Sequence, residues 1–185
     1  MNDPTVLVLA SGRGERFRAS GGQGSKLKAL LAGRPVLAHT LAAVQASGLP
    51  FHVEDAGHPG MGDSIAAAVR ATADASGWLV LPGDLPLVRP ESLRAVAAAL
   101  ATHTVVLPVH DGMRGHPVGF GPACREALLA LGGAEGAATV VKAQRAAGGV
   151  IELPLADDGI VTDVDTLADL ARIEQRLAQG TLPRT

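Results

Sequence analysis

The sequence predicts an α/β domain with a mainly parallel sheet. Short apolar runs alternate with alanine-rich helical segments along all 185 residues, the pattern of β-α-β repetition around a buried sheet. Hydrophobic residues make up 47% of the chain and aromatics only 2%, so the core is built from Ala, Val and Leu. Punctuation is dense, with 23 Gly and 12 Pro, and it falls between the periodic segments.

The first buried strand is Thr5–Leu9. A helix follows over about 35–47, with Pro35 suited to its first turn and Gly48 to the position after its last. Residues 51–54 form a short strand. Asp63 or Ser64 caps a helix running to about Ser76. Trp78–Pro82 is the clearest buried strand, and Pro90 opens a helix that ends near Thr102. Strands are expected over 104–109 and 116–120, and helices over about 122–131 and 136–147. Short strands at 150–155 and 160–162 precede a last helix from Leu167 to Ala178. Residues 1–178 read as one domain and 179–185 as a fraying, flexible tail.

Composition excludes several functions. The formal net charge is −2, with no basic stripe, which argues against nucleic-acid binding. No apolar stretch reaches the roughly 18 residues of a membrane span. The N-terminus lacks a basic leader segment, so a cytoplasmic location is expected. One cysteine, Cys124, allows neither an internal disulfide nor a cysteine metal site. There is no G-x-S-x-G elbow and no H-E-x-x-H pair among the six histidines.

Three constellations carry chemistry. Leu9-Ala10-Ser11-Gly12-Arg13-Gly14-Glu15-Arg16 leaves the first strand as a glycine-rich, cationic turn. Glycines allow close backbone approach to phosphate, and a guanidinium adds charge-assisted hydrogen bonds. The turn fits neither a dinucleotide fingerprint nor a P-loop; its lysine comes later, as Lys26 or Lys28. Asp84 directly follows the strand Trp78–Pro82, and ligands of open α/β sheets gather outside the carboxyl ends of strands. A carboxylate there suits Mg²⁺ beside a polyphosphate, or a plain Pro-Gly-Asp turn. Asp163 and Asp165, two apart, share a face if extended; one could join Asp84 on the metal, another could cap the last helix. Two further loops suit ligands. Gly60–Ser64 opens a helix, so Ser64 and the free N–H groups there could hold base, ribose or phosphate. His116, before Pro117, either contacts an acceptor substrate or is structural. Cys124 reads as a packed residue.

The order of these motifs resembles the MobA-like nucleotidyltransferases, most closely the molybdenum cofactor cytidylyltransferases. The resemblance is carried by residues 9–17, Lys26, Ala32-Gly33-Arg34-Pro35, Gly60–Ser64, Pro82-Gly83-Asp84, Gly115-His116-Pro117 and Asp163–Leu170, and spans residues 5 to about 172. It implies a Rossmann-like, three-layer α/β/α fold of the nucleotide-diphospho-sugar transferase type. It also implies transfer of a nucleoside monophosphate, CMP from CTP, onto the terminal phosphate of molybdopterin, releasing pyrophosphate. By position, Leu9, Ala10, Ser11, Gly12 and Gly14 would hold base and phosphates through backbone groups. Arg16 and Lys26 would neutralise phosphate charge, and Ser64 would lie near the nucleoside. Asp84 would bind Mg²⁺ with Asp165 as second ligand, and the product would pass by transient contact to molybdoenzymes or their chaperones. Ser11 departs from the family's usual Ala, and the stretch 48–60 has room for one strand where relatives have two with a helix between. Two other readings stay open: the same reaction on another phosphorylated acceptor such as a sugar phosphate, and a non-catalytic nucleotide- or cofactor-binding protein.

Overall fold

A computed structural model describes residues 3–12 and 14–180; the expected tail therefore lies mostly outside the described residues. The elements in chain order are β1 (Thr5–Leu9), α1 (Glu15–Ala19), β2 (Leu30–Leu31), β3 (Arg34–Pro35), α2 (Val36–Ser47), β4 (Phe51–Glu54), α3 (Met61–Ala71), β5 (Trp78–Pro82), α4 (Pro90–Ala99), β6 (Val105–His110), β7 (Met113–Arg114), β8 (Val118–Phe120), α5 (Arg125–Leu129), α6 (Ala138–Ala146), β9 (Val150–Pro154) and α7 (Leu167–Ala178).

Among the described residues, a seven-stranded sheet runs β4-β1-β5-β8-β6-β7, with β9 on the other edge of β6. β1 pairs in parallel with β4 and β5, and β6 in parallel with β9. β8 lies antiparallel between β5 and β6, and β7 is antiparallel to β6. Five strands thus share one direction. The carboxyl ends of β1, β4 and β5 come together on one rim.

Side-chain alternation splits the core into two layers. Leu7, Leu9, Val80, Leu107 and Phe120 pack with Ile65 of α3, Leu128 of α5 and Val140 of α6. Val6, Val8, Leu79, Leu81 and Val106 pack on the opposite face with Val44 of α2 and Leu93 and Val96 of α4. The period-2 pattern of each strand serves both faces. A third cluster, Phe17, Leu31, Val36, Leu87, Val164 and Ile173, sits off the sheet and fastens α1 and α7 beside the rim. No helix among the described residues is long and apolar enough to cross a membrane.

Several expected boundaries move. The third helix begins at Met61, with Gly60 as its N-cap in place of Asp63 or Ser64. It stops at Ala71, short of Ser76, because Thr72 leaves the helical region. The Thr72 hydroxyl donates to Ala68 C=O and accepts from the Trp78 indole N–H at 3.0 Å. The helix opened by Pro90 ends at Ala99, not Thr102, in tight i→i+3 turns. The strand expected from His116 begins at Val118, since Pro117 has no N–H to pair and the His116 N–H is taken by Ile160 C=O. Residues 122–131 divide into a 3₁₀ turn and α5. The strand expected at 160–162 is instead a 3₁₀ turn, Asp158–Val161, nucleated by the Asp157 carboxylate accepting from Gly159 N–H. Helix α1 has one signal in the sequence, the apolar Phe17 in a polar stretch, and the structure buries it.

The last helix matches the expected 167–178, and Thr166 and Asp169 close a capping box at its start. Thr166 Oγ1 accepts from Asp169 N–H, and the Asp169 carboxylate accepts from the Thr166 N–H at 2.9 Å. Burial works against the ionised carboxylate, but the hydrogen bonds from Thr166 and Asp165 outweigh it and hold its pKa below the ordinary 3.8. A depressed folded pKa means that its contribution is complete above 3.8 and is lost as pH falls below that, through the folded value. Thr166→Ala should therefore cost about 1 kcal/mol, and Asp169→Asn should flatten the acid limb of a stability-versus-pH curve from chemical denaturation.

Candidate active site

The rim is built by tying five chain segments to one another. Leu9 C=O, at the end of β1, accepts from Gly83 N–H at 2.9 Å, and Ala10 N–H donates to Glu54 C=O at 2.8 Å. Thr40 Oγ1 of α2 donates to Gly83 C=O at 2.9 Å. Val164 N–H donates to Asp84 C=O at 3.0 Å. Val164 is fully buried, so the extended backbone turns its two neighbours outward. Asp163 and Asp165 thereby meet Asp84, with one carboxylate oxygen from each lying within 4.8 Å of the others.

Cations face this acidic group. Lys26 Nζ lies 2.6 Å from Asp84 Oδ2 and 2.6 Å from Asp165 Oδ1. Arg16 pairs with the other oxygen of Asp165. The Lys26 and Asp84 side chains are 13% and 14% exposed, whereas Arg16 is 79% exposed. The lysine pair is thus sheltered from solvent screening, and the arginine pair contributes little to stability. Burial disfavours the ammonium, but Asp84 and Asp165 overcome that and hold the Lys26 pKa above its usual value. Partial desolvation, followed by the like charges of Asp165 and Asp84, pushes the Asp163 carboxyl up. Three carboxylates against two cations leave the group short of positive charge. Oxygen donors so crowded fit a hard divalent cation, and an ammonium already bridges two of them.

Beside this cluster is a cavity of about 260 Å³ lined by Leu9, Ser11, Gly12, Lys26, Ser64 and Asp84, and also by His58, Gly60 and Met61. A second hollow, of about 250 Å³, lies between Gly12, Gly14, Arg16, Lys26 and Asp165. Gly14 adopts φ +59° there, which favours glycine although a Cβ would meet only ordinary contacts. Gly60 and Gly62 are different. A Cβ on Gly60 would lie 2.1 Å from the Gly133 carbonyl oxygen, and one on Gly62 2.8 Å from that of Gly132. They let α3 lie on the loop at 132–134.

Nearly all the residues singled out from sequence converge. Leu9, Ser11, Gly12, Gly14, Arg16, Lys26, Ser64, Asp84 and Asp165 line the two hollows. Ala10 does not, and its N–H is spent on Glu54. Arg13 lies outside the described residues. Of the two lysines, Lys26 lies against Asp84 and Asp165, and Lys28 is exposed. The expected free N–H groups of Gly60–Ser64 are partly used, since Gly62 N–H donates to Gly133 C=O at 2.9 Å. Asp63 accepts from Gly133 N–H at 3.0 Å and is a fastener. Ser64 Oγ lies 2.8 Å from Ser11 Oγ and donates to Gly60 C=O. The third carboxylate, Asp163, was visible in sequence only as the partner of Asp165. Cys124 is buried in the core, and burial pushes its thiol pKa up.

Comparison with known proteins places the fold. A family model described as the MobA-like NTP transferase domain matches residues 41–148, more than half of the chain. That stretch contains Ser64, Asp84 and His116 but not the glycine-rich turn or Asp165. The bifunctional protein GlmU of Halorhodospira halophila is 32% identical over 143 residues, 65% of this chain and 28% of that protein. The chain thus spans less than a third of that relative. A nucleotidyl transferase from Methanothermobacter superposes with a TM-score of 0.80 at 20% identity, covering 97% of this chain and 100% of the other. A Mycobacterium tuberculosis protein, Rv0371c, solved in complex with manganese, superposes at 0.69 with 21% identity over 94% and 99% of the two chains. At these identities the likeness is one of fold.

Lys26→Met removes the ammonium and leaves three carboxylates facing one another. The metal-free variant should lose about 1–3 kcal/mol of stability, and thermal melts should show Mn²⁺ raising its Tm more than that of the parent. Asp84→Asn should abolish the Mn²⁺ response, and Lys28→Met should leave both quantities unchanged.

Proposed function

Since the chain belongs to the MobA-like NTP transferase domain family, we propose that it is a nucleotidyltransferase. It would move a nucleoside monophosphate from an NTP onto a phosphorylated acceptor and release pyrophosphate. The observation that carries this reading is the triad Asp84, Asp163 and Asp165, held against Lys26 and Arg16 at the edge of a cavity. An oxygen-donor group beside cations and next to a glycine turn is what a metal–polyphosphate complex requires.

The chemistry asks little covalent work of the protein. An acceptor phosphate oxygen forms a bond to the α-phosphorus of the NTP. The bond from that phosphorus to the bridging α–β oxygen breaks, and pyrophosphate leaves with the electron pair. A divalent cation, which we take to be Mg²⁺, would be held by Asp84 and Asp165 with Asp163 beside them, and when bound supplies Lewis-acid neutralisation of phosphate oxygens. Lys26 and Arg16 would exchange their carboxylate partners for the triphosphate and then stabilise the charge growing on pyrophosphate. Gly12 and Gly14 would let backbone approach the phosphates. Ser11 and Ser64, hydrogen-bonded to each other, would border the nucleoside. No residue is required as a general base, because a phosphate nucleophile is already ionised.

The finer assignment rests on the motif order. Gly115-His116-Pro117 favours a molybdopterin-type acceptor, and the resemblance of the whole motif order to the cytidylyltransferase branch favours CTP as donor. The test is direct incubation of the protein with each NTP, Mg²⁺ and molybdenum cofactor, with pyrophosphate as readout. CTP should give the fastest release, and Asp84→Asn should slow it at least about 100-fold, the scale of one lost transition-state electrostatic group. Arg16→Ala should raise the KM for the NTP more than it lowers kcat. Absence of pyrophosphate with every NTP would overturn the reading.

A further inference from the structure

The segment that carries Asp163 and Asp165 runs alongside the connection from β5 to α4, in the opposite direction, and meets it at three places. At the near end Val164 N–H donates to Asp84 C=O at 3.0 Å. In the middle Gly159 presses on Leu87, and a Cβ there would lie 2.0 Å from the Leu87 carbonyl oxygen. At the far end Asp157 closes the seam. Its Oδ2 accepts from Ser92 Oγ at 2.6 Å and from Arg89 N–H at 3.0 Å. Its Oδ1 accepts from Gly159 N–H at 2.9 Å and lies 3.6 Å from Arg89 Nε. The 3₁₀ turn between these ends is gripped from another side as well. Ile160 C=O accepts from His116 N–H at 2.9 Å, and a Cβ on Gly115 would lie 2.4 Å from that oxygen. The His116 ring itself lines a further cavity, of about 490 Å³, that Met61 also borders.

Asp157 is only 3% exposed, yet it is not one of the three clustered carboxylates and lines neither hollow beside them. A buried charge is costly unless it is paired and hydrogen-bonded, and here each oxygen has two partners. What this arrangement secures is register. Burial of Val164 prevents rotation of the segment, but one backbone hydrogen bond does not by itself prevent sliding. Side chains of an extended chain alternate, so a slip of one residue would turn Asp163 and Asp165 away from Asp84. The capping box of α7 holds the downstream end. Upstream the peg is Asp157, which engages the opposite segment and its own turn together.

We propose, resting on the nucleotidyltransferase reading above, that Asp157 is a positioning residue of the metal site. Through Ser92 and Arg89 it fixes the register that brings Asp163 and Asp165 to Asp84, and so sets the affinity for the divalent cation. Asparagine in its place would put an amide N–H₂ where an oxygen accepted. At least one donor among Ser92 Oγ, Arg89 N–H and Gly159 N–H would then face another donor, and the far end of the seam would open.

The test is titration of the full chain with Mn²⁺, alone and with CTP. Binding is read from loss of the free-ion electron paramagnetic resonance signal, at a temperature where circular dichroism shows the variants folded. Asp157→Asn should weaken Mn²⁺ about tenfold, the lower end of what losing an outer partner costs a metal site. Ser92→Ala removes a single hydrogen bond and keeps the test valid if the asparagine variant does not fold; it should weaken Mn²⁺ about threefold. Glu91→Gln changes an exposed neighbour paired with Arg94 and should leave Mn²⁺ binding unchanged. In assays of pyrophosphate release the two seam variants should need proportionally more Mn²⁺ for half-saturation and regain the parental kcat at saturation. A purely structural role would lower the Tm and leave the folded-state Mn²⁺ affinity unmoved, and that result overturns the inference. So does a parent that binds no Mn²⁺ with or without CTP. Weakened Mn²⁺ binding in the variants, beside a parent that releases no pyrophosphate from any NTP, would sink the nucleotidyltransferase reading and leave the role of Asp157 standing.

Discussion

The hydrogen bond from Val164 N–H to Asp84 C=O is the constraint on which the rest of the site depends. It joins the end of a central strand to a segment eighty residues later in the chain. Val164 buries its side chain with Phe17, Leu87 and Ile173, so the segment cannot rotate about that bond. The alternation of an extended backbone then sends Asp163 and Asp165 to one side. Three like charges are brought together by apolar burial and a backbone hydrogen bond, not by attraction. The capping box of α7 begins immediately afterward and holds the same segment from its other end.

Such crowding has a cost that Lys26 offsets. The ammonium sits between Asp84 and Asp165 and is shielded enough from water for the interaction to be strong. The exposed Arg16 pair is weaker and can be exchanged readily. Asp84 and Asp165 are thus held by one sheltered and one exposed cation. Buried neighbours in the chain explain why these cations are well placed. Phe17 in α1 and Leu27 beside Lys26 are both buried, so apolar packing positions side chains whose tips remain polar.

Helix α3 organises the other half. Gly60 and Gly62 bring it onto the loop at 132–134, and Asp63 ties that contact with a hydrogen bond. The helix thereby places Ser64 against Ser11 on one side and Met61 between two cavities. Ser11 carries a hydroxyl that the family pattern lacks, and its partner is present in the same structure. The short stretch before α3 holds only β4, whose Glu54 accepts from Ala56 N–H and contacts His52 and His58. Burial opposes ionisation of Glu54, yet the hydrogen bonds outweigh it and hold its pKa below the usual value.

Local pattern in the sequence determined the strands Thr5–Leu9, Phe51–Glu54 and Trp78–Pro82 and the helix Leu167–Ala178 to the residue. Continuous apolar runs and a capping signature act over a few residues, so no distant contact is needed to recognise them. The placing of Asp84 and the glycine turn at strand ends was legible for the same reason. Helix ends at Thr72 and Ala99, and the 3₁₀ turn at Asp158–Val161, were not, because Trp78, tight terminal turns and Asp157 decide them. Tertiary structure alone chose Lys26 over Lys28, drew Asp163 to Asp84, withdrew Ala10 into a strand hydrogen bond and left the His116 ring facing a cavity. Those outcomes depend on which segments close against one another across the fold, and chain closure is set by burial of residues such as Val164 and Phe17, not by the spacing of the polar residues themselves.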